Sequence, residues 1–151
     1  MSQGGNQLSK IDLSILITII LAGCNGFLHR TISQPEGRVI IDGEQYTMVS
    51  GNYEWKEDNV EIRTKSSTDI NELAELFETV EVDKGEILKF EIEKNPISNK
   101  VTKLNEDGTT ENIEMNDNEI LMPSESGYYI YQLETIWSQG KQTFIFDVDI
   151  K

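Results

Sequence analysis

The hydrophobic residues of this chain follow two different patterns along its length. Residues 13–22 form one continuous apolar run, whereas apolar and polar residues alternate in short stretches from Arg38 onward. Alternation with a period of two is typical of β-strands that have one buried face. Turn residues separate these stretches at intervals of roughly 8–12 positions, as they do in β-sandwiches. The pattern therefore predicts an all-β domain.

The predicted strands differ in length and in the clarity of the turns between them. Asp42-Gly43 is a strong two-residue hairpin signal between the first two. The strands are expected at residues 38–41, 44–49, 80–82, 87–92, 113–115, 128–137 and 143–150, with a further strand start at 51–55.

One stretch, Ser66 to Phe77, has the period of a helix instead. Asp69 and Glu72 have the spacing of a weak capping box at its start. The residues expected on its buried face are Ile70, Leu73, Ala74 and Phe77.

The last two strands predict a long hairpin whose register follows from its turn. A turn at residues 138–141 places Trp137 opposite Gln142, Leu133 opposite Phe146 and Tyr131 opposite Val148. One face of the hairpin is then almost wholly apolar, and we expect it to be buried. A slip of one residue would exchange the two faces, so this assignment of faces is strongly determined.

The opposite face of that hairpin is more apolar than a solvated surface requires. We expect this strip either to be covered by the hairpin of residues 38–49 or to be a surface that binds a partner. The residues of the strip are Tyr128, Ile130, Ile136 and Ile145.

The apolar run near the N-terminus is too short to cross a hydrocarbon core of about 30 Å as a helix. It follows Lys10 and ends in small residues, the layout of a secretory signal peptide. A buried helix of the domain is the alternative interpretation, but the run has no polar face. The basic segment before it is long and weak, so a translation start near Leu8 is a second possibility. From the signal-peptide layout we expect the chain to be exported.

Leu21-Ala22-Gly23-Cys24 resembles the bacterial lipobox and contains the only cysteine of the chain. The resemblance implies cleavage between Gly23 and Cys24, with diacylglycerol on the thiol of Cys24. Two acyl chains anchor a protein stably, at about 0.8 kcal/mol for each buried CH₂. The expected organisation is a signal peptide at 1–23, a lipidated tether at 24–37 and a β-sandwich domain at 38–151.

The charge of the chain is strongly negative, with 27 acidic and 13 basic residues and a net charge of −14. Removal of residues 1–23 takes away Lys10 and Asp12, which leaves this value unchanged. Such a surface repels nucleic acid and anionic lipid head groups. Attachment to a membrane must then come from the lipid anchor, and nucleic acid is excluded as a partner.

Gly127-Tyr128-Tyr129 opens the longest predicted strand in the way that is typical of immunoglobulin-like domains. In those domains a tyrosine at this corner bonds to backbone upstream. The chain lacks the two cysteines of antibody domains, because Cys24 is its only one. The expected fold is an immunoglobulin-like β-sandwich with one short helix, preceded by the lipoprotein signal peptide.

The chain also resembles small lipoproteins of Bacillus and related Gram-positive bacteria. The similarity covers nearly all of residues 38–151. It implies the anchor, the extracytoplasmic location and the sandwich, but no mechanism. The elements that carry it are Ile-Ile-Asp-Gly-Glu (40–44), Gly-Asn-Tyr-Glu-Trp (51–55), Val-Asp-Lys-Gly (82–85), Asn-Pro (95–96), Gly-Tyr-Tyr-Ile-Tyr (127–131), Trp-Ser-Gln-Gly (137–140) and Phe-Ile-Phe-Asp-Val (144–148).

The residues available for catalysis or metal binding are few. His29 is the only histidine and lies in the tether, and Cys24 is consumed by lipid, so no nucleophile–base pair is expected in the domain. Residues 105–108 and 116–119 offer oxygen ligands for calcium, but neither has the twelve-residue loop spacing, and we favour turns. No catalytic residue, cofactor or metal site is predicted.

The aromatic residues allow two interpretations, a buried core or an exposed binding platform. We favour the core for the four at issue, Tyr53, Trp55, Tyr128 and Trp137. The function expected is that of a non-enzymatic binding or accessory domain, lipid-anchored on the extracytoplasmic face of the cell membrane. Its partner would be an envelope protein or a wall component. The alternative is a small cell-envelope hydrolase without a recognisable motif.

Overall fold

The computed structural model describes residues 31–151, and within them eleven strands and one short helix form the fold. The strands are β1 (Gly37–Ile41), β2 (Glu44–Thr47), β3 (Val49–Glu57), β4 (Val60–Thr64), β5 (Val80–Val82), β6 (Ile87–Ile92), β7 (Ser98–Leu104), β8 (Thr110–Ile113), β9 (Glu119–Leu121), β10 (Gly127–Ile136) and β11 (Gly140–Ile150). The helix, α1, spans Ile70–Ala74 and lies between β4 and β5.

The strands form two sheets that pack face to face as a β-sandwich. The smaller sheet has the order β2-β1-β6-β9, and the larger has the order β4-β3-β11-β10-β7-β8. The short strand β5 adds to the larger sheet by pairing in parallel with the end of β11. Phe90 of the smaller sheet meets Phe146 of the larger one edge-on, with ring centroids 5.6 Å apart. The predicted all-β sandwich is confirmed.

The strands from β5 to β11 follow an immunoglobulin-like order. β6 pairs with β9 in one sheet, while β7, β10 and β11 are neighbours in the other, as strands B, E, C, F and G are in immunoglobulin domains. The hydroxyl of Tyr129, at the start of β10, donates to the backbone oxygen of Glu125 at 3.3 Å. This is the corner bond that the Gly-Tyr-Tyr element predicted. The hairpins β1–β2 and β3–β4 each extend one sheet.

Aromatic packing occupies the place that the inter-sheet disulfide has in antibody domains. Tyr131 of β10 stacks on Phe146 of β11 with ring centroids 5.1 Å apart, and Phe90 of β6 approaches the same ring. Each of these three side chains is at most 2% exposed. Burial of large rings therefore ties the two sheets together without a covalent bond.

The two-residue turns form where the sequence has Asp or Asn. Asp42 and Gly43 both have positive φ, as a hairpin turn of this kind requires, and they join β1 to β2 as predicted. The same geometry at Asp58 and Asn59 joins β3 to β4. Strands β4, β7 and β9 were not predicted, because β4 and β7 are mostly polar and β9 has only three residues. The strand predicted at 113–115 was misplaced, since β8 ends at Ile113.

The register of the β10–β11 hairpin differs by two residues from the prediction. Leu133 faces Phe144, and Tyr131 faces Phe146, because the loop contains only Ser138 and Gln139. The predicted four-residue turn was wrong. A shift of two leaves every side chain on its predicted face. The face with Phe144 and Phe146 is accordingly buried, as expected.

The helix is shorter than predicted and its start differs in detail. Asp69 is the N-cap, and its side chain accepts from the backbone N–H of Asn71 at 2.9 Å. The hydroxyl of Ser67 donates to the carboxylate of Glu72 at 2.6 Å. The same hydroxyl accepts from the backbone N–H of Asp69. In a capping box, Glu72 would accept directly from the backbone N–H of Asp69. Here the hydroxyl of Ser67 bridges these two groups.

Candidate functional site

The predicted lipidation site lies outside the described residues. Cys24, Gly23 and the whole signal peptide precede Thr31, where the described part begins. Within residues 31–151, no helix is long and apolar enough to cross a membrane. The lipid anchor on Cys24 therefore stays a prediction from the sequence.

The predicted partner strip does not form one exposed surface. Ile130 and Ile145 are buried, at 7% and 1% exposure, against Leu73 and Ala74 of α1. The covering element is thus the helix, and the predicted cover by the hairpin of residues 38–49 was wrong. Strand β1 of that hairpin pairs with β6 in the other sheet, where its Val39 and Ile41 are buried.

The two remaining residues of the strip are exposed at different places. Tyr128 is 53% exposed at the start of β10, and Ile136 is 39% exposed at its end. The other three aromatic residues at issue, Tyr53, Trp55 and Trp137, are buried, which confirms the core interpretation for them. Solvent reaches Tyr128 alone of these four, so the core interpretation was wrong for Tyr128.

Tyr128 lines a groove between the start of α1, the β7–β8 turn and β10. The groove has a volume of about 540 Å³ and is open on one side. We call it the α1 groove. Its lining combines an apolar floor with a rim of short polar and acidic side chains. The lining residues are Thr68, Asp69, Ile70, Asn71, Leu104, Asn105, Glu106, Gly108, Tyr128 and Ile130.

The charged residues that line the α1 groove are all acidic. Asp69 and Glu106 are acidic, and the lining contains no Lys, Arg or His. Hydrogen bonds from the side chain and backbone of Asn71 lower the pKa of Asp69, so that its carboxylate is ionised at neutral pH. A groove of this charge favours a neutral or cationic ligand over an anionic one.

A buried carboxylate holds the tyrosine of this groove in place. The hydroxyl of Tyr128 donates to Oδ2 of Asp147, which also accepts from Oγ1 of Thr79 at 3.1 Å. Asp147 is only 2% exposed. Partial desolvation of the phenol raises the pKa of Tyr128, and the bond to Asp147 raises it further. The phenol therefore stays protonated and remains a donor.

Asp147 was missed by the sequence prediction, which placed it on the solvated face of the last hairpin. The sequence did contain a signal for its burial, namely Ile130 and Ile145, which are its neighbours on that face. Two isoleucines beside an aspartate on one strand face indicate that the face is covered. The covering segment lies some 70 residues earlier in the chain, as the 68-residue separation of Thr79 and Asp147 shows.

The two acidic loops are turns. In the β7–β8 turn the side chain of Asp107 accepts from the backbone N–H of Thr109 at 2.9 Å, across Gly108, which has positive φ. Asp117 and Asn118 both have positive φ and close the turn that leads into β9. Among residues 31–151, no group of three or more His, Cys, Asp or Glu side chains is arranged to hold a metal ion.

A second groove, of about 510 Å³, lies beside the loop of the last hairpin. Trp55 and Trp137 meet edge-on behind it, with ring centroids 5.6 Å apart. Nε1 of Trp137 donates to the backbone oxygen of Glu93, and Nζ of Lys94 lies 4.8 Å from the ring centroid of Trp55. Both indoles are thereby held as part of the core, so this groove offers no exposed aromatic ring.

Comparison with known proteins adds no further constraint on function. The chain matches no family model, and neither the curated proteins nor the solved structures show significant similarity to it.

Proposed function

We propose that this protein is a lipid-anchored extracytoplasmic lipoprotein whose β-sandwich acts as a binding or accessory domain at the cell surface. The anchor part rests on Leu21-Ala22-Gly23-Cys24 at the end of an apolar run, and on the resemblance to small Bacillus lipoproteins. The binding part rests on the α1 groove, where Tyr128 is exposed but fixed by the buried Asp147.

The α1 groove has the properties of a ligand site rather than of a packing defect. Its volume lies in the range of about 300–1,000 Å³ that is common for ligand pockets. Leu104 and Ile130 supply an apolar floor, and the ring of Tyr128 supplies a rigid amphipathic contact. A side chain that is held before binding loses little entropy on binding. The ligand is accordingly a neutral or cationic component of the cell envelope, a wall component or an envelope protein.

The anchor is tested by replacing the lipidated thiol. Cells that express the protein or Cys24→Ser are labelled with a radioactive fatty acid, and the protein is immunoprecipitated in equal amounts. Label in the wild type and none in the variant is expected, since no other thiol exists in the chain. Equal labelling of both would refute the anchor.

The binding site is tested by reversing one charge at its rim. The protein is extracted from membranes in detergent, immobilised and incubated with cell-envelope extract. Glu106→Lys places a cation at the α1 groove. Glu114→Lys makes the same charge change at the other end of β8 and serves as the control. We expect the control to retain the component that binds to wild type, and Glu106→Lys to lose it.

The outcome that contradicts the binding proposal is a component that binds equally to both variants and to the wild type. That result would place the binding surface elsewhere and leave the lipid anchor unaffected. Loss of binding by both variants would show that general charge, and not the groove, governs the interaction.

A further inference from the structure

Four polar side chains form a continuous row across the inner face of the larger sheet. Tyr53 of β3 faces Gln142 of β11, Gln142 faces Thr135 of β10, and Thr135 faces Asn99 of β7. Residues that face each other across antiparallel strands have Cα atoms about 4.5–5.5 Å apart. The row therefore crosses four neighbouring strands, within a core that is otherwise apolar.

Each member of this row has a buried polar atom without a partner in the protein. The atoms are the hydroxyls of Tyr53 and Thr135, Oε1 of Gln142 and Oδ1 of Asn99. They make up four of the five such side-chain atoms found in residues 31–151. Tyr53, Thr135 and Gln142 are at most 2% exposed, so bulk solvent does not reach them.

The amide groups show which kind of partner is missing. Nε2 of Gln142 donates to the hydroxyl of Ser50 at 3.1 Å, and Nδ2 of Asn99 donates to Oδ1 of Asn118 at the same distance. With these donors engaged, the unpaired atoms of Gln142 and Asn99 are acceptors. The hydroxyls between and beside them can donate or accept. A bridging molecule must therefore donate to the two amide oxygens, and it can accept from either hydroxyl.

A row without partners would be costly for the fold. Leaving one buried polar group unpaired costs a large part of the margin by which a small domain is stable, and four such groups would consume most of it. Burial raises the pKa of Tyr53, so its hydroxyl is neutral, and the row contains no carboxylate to attract a cation. Water is the small molecule that both donates and accepts and needs little space.

We infer that the row Tyr53–Gln142–Thr135–Asn99 is an internal hydration site, which holds a file of ordered water molecules between the two sheets. A domain of this length contains about four buried waters on average, typically with about three hydrogen bonds each. Asn118, the partner of Asn99, is exposed, so the file reaches the surface at that end of the row. The waters are part of the fold and independent of the proposed ligand groove.

Thr135→Val is the first test, because valine has nearly the same shape and lacks the hydroxyl. If the hydroxyl binds ordered water, its removal breaks the file at its centre, and Tm should fall by about 4 °C. If the hydroxyl is unpaired, the same change removes a buried polar group and raises Tm. Thr64→Val, at an exposed position of β4, is the matched control and should change Tm by less than the buried variant does.

A crystal structure of the purified protein is the second test. We expect ordered water peaks within hydrogen-bonding distance of at least two of the four unpaired atoms, and loss of the peak beside residue 135 in Thr135→Val. An unchanged or raised Tm in the variant overturns the inference. So does a crystal structure with a dry row or with a metal ion in it.

Discussion

Among single residues, Asp147 is the one charged residue that is buried in the described part of the chain. Its Oδ2 accepts hydrogen bonds from the hydroxyls of Tyr128 and Thr79, while its Oδ1 has no partner in the protein. A carboxylate in this position depends strongly on the donors it has, because desolvation must be offset by hydrogen bonds. Tyr128 therefore lines the α1 groove and also supplies one of the two donors to Asp147.

Removal of the Tyr128 hydroxyl tests this dependence. Tyr128→Phe should lower the free energy of unfolding by about 1.5–3 kcal/mol, because a buried carboxylate loses one of its two donors. Tyr46→Phe is the control, since Tyr46 also donates to a carboxylate, that of Glu44, but on the surface. Its effect should be under about 0.5 kcal/mol. Urea denaturation measures both values, and equal effects would contradict the structural role of Asp147.

At the level of elements, α1 stabilises the domain through what it covers and not through its length. Five residues are too few to form a stable helix alone. Leu73 and Ala74 pack on Ile130 and Ile145, and Asp69 caps the first turn. Packing against β10 and β11 thus holds the helix, and the helix in return keeps the outer face of the larger sheet dry at this point.

Two leucines of this segment give a matched comparison. Leu73 is 8% exposed and Leu76 is 73% exposed, three residues apart. Leu73→Ala should cost about 2–4 kcal/mol of unfolding free energy, because it leaves a cavity over Ile130 and Ile145. Leu76→Ala should cost less than about 0.5 kcal/mol. Similar losses in urea denaturation, or a larger loss for Leu76, would show that α1 is not the cover.

On the scale of the whole molecule, tyrosines with a raised pKa make the domain sensitive to alkali. Desolvation is the first cause that raises the pKa of the buried Tyr53 and Tyr131 above the ordinary value of 10.0, and it acts on the half-exposed Tyr128 together with the bond to Asp147. The unfolded chain releases these protons at its lower pKa, while the folded chain still retains them. From about pH 8 to 9.5 stability should therefore be level with respect to these tyrosines, and it should fall as the pH rises above about 10.

Urea midpoints measured between about pH 8 and 12 check this expectation. Tyr131→Phe should reduce the steepness of the alkaline fall, because it removes one of the buried phenols. Tyr46→Phe is again the comparison, since Tyr46 is not buried and its pKa is raised mainly by its bond to Glu44. A midpoint that stays constant or rises above pH 10 would contradict the assignment.

The sequence by itself determined which side of the last two strands faces the other sheet. Side chains alternate with a period of two, so the apolar positions of β10 and β11 identify the inner face whatever the register is. Asp42-Gly43 likewise determined a turn, because those residues tolerate positive φ. These properties are local, and they were enough for the all-β sandwich and for the buried face of its last hairpin.

Tertiary structure alone decided what lies on the outer face and which strands are neighbours. Ile130 and Ile145 became core because α1, far away in the chain, packs on them, and Asp147 was buried with them. The polar row exists because four separate strands bring Tyr53, Gln142, Thr135 and Asn99 to one level. Such contacts depend on loop closure and packing between distant segments, which no local pattern of residues specifies.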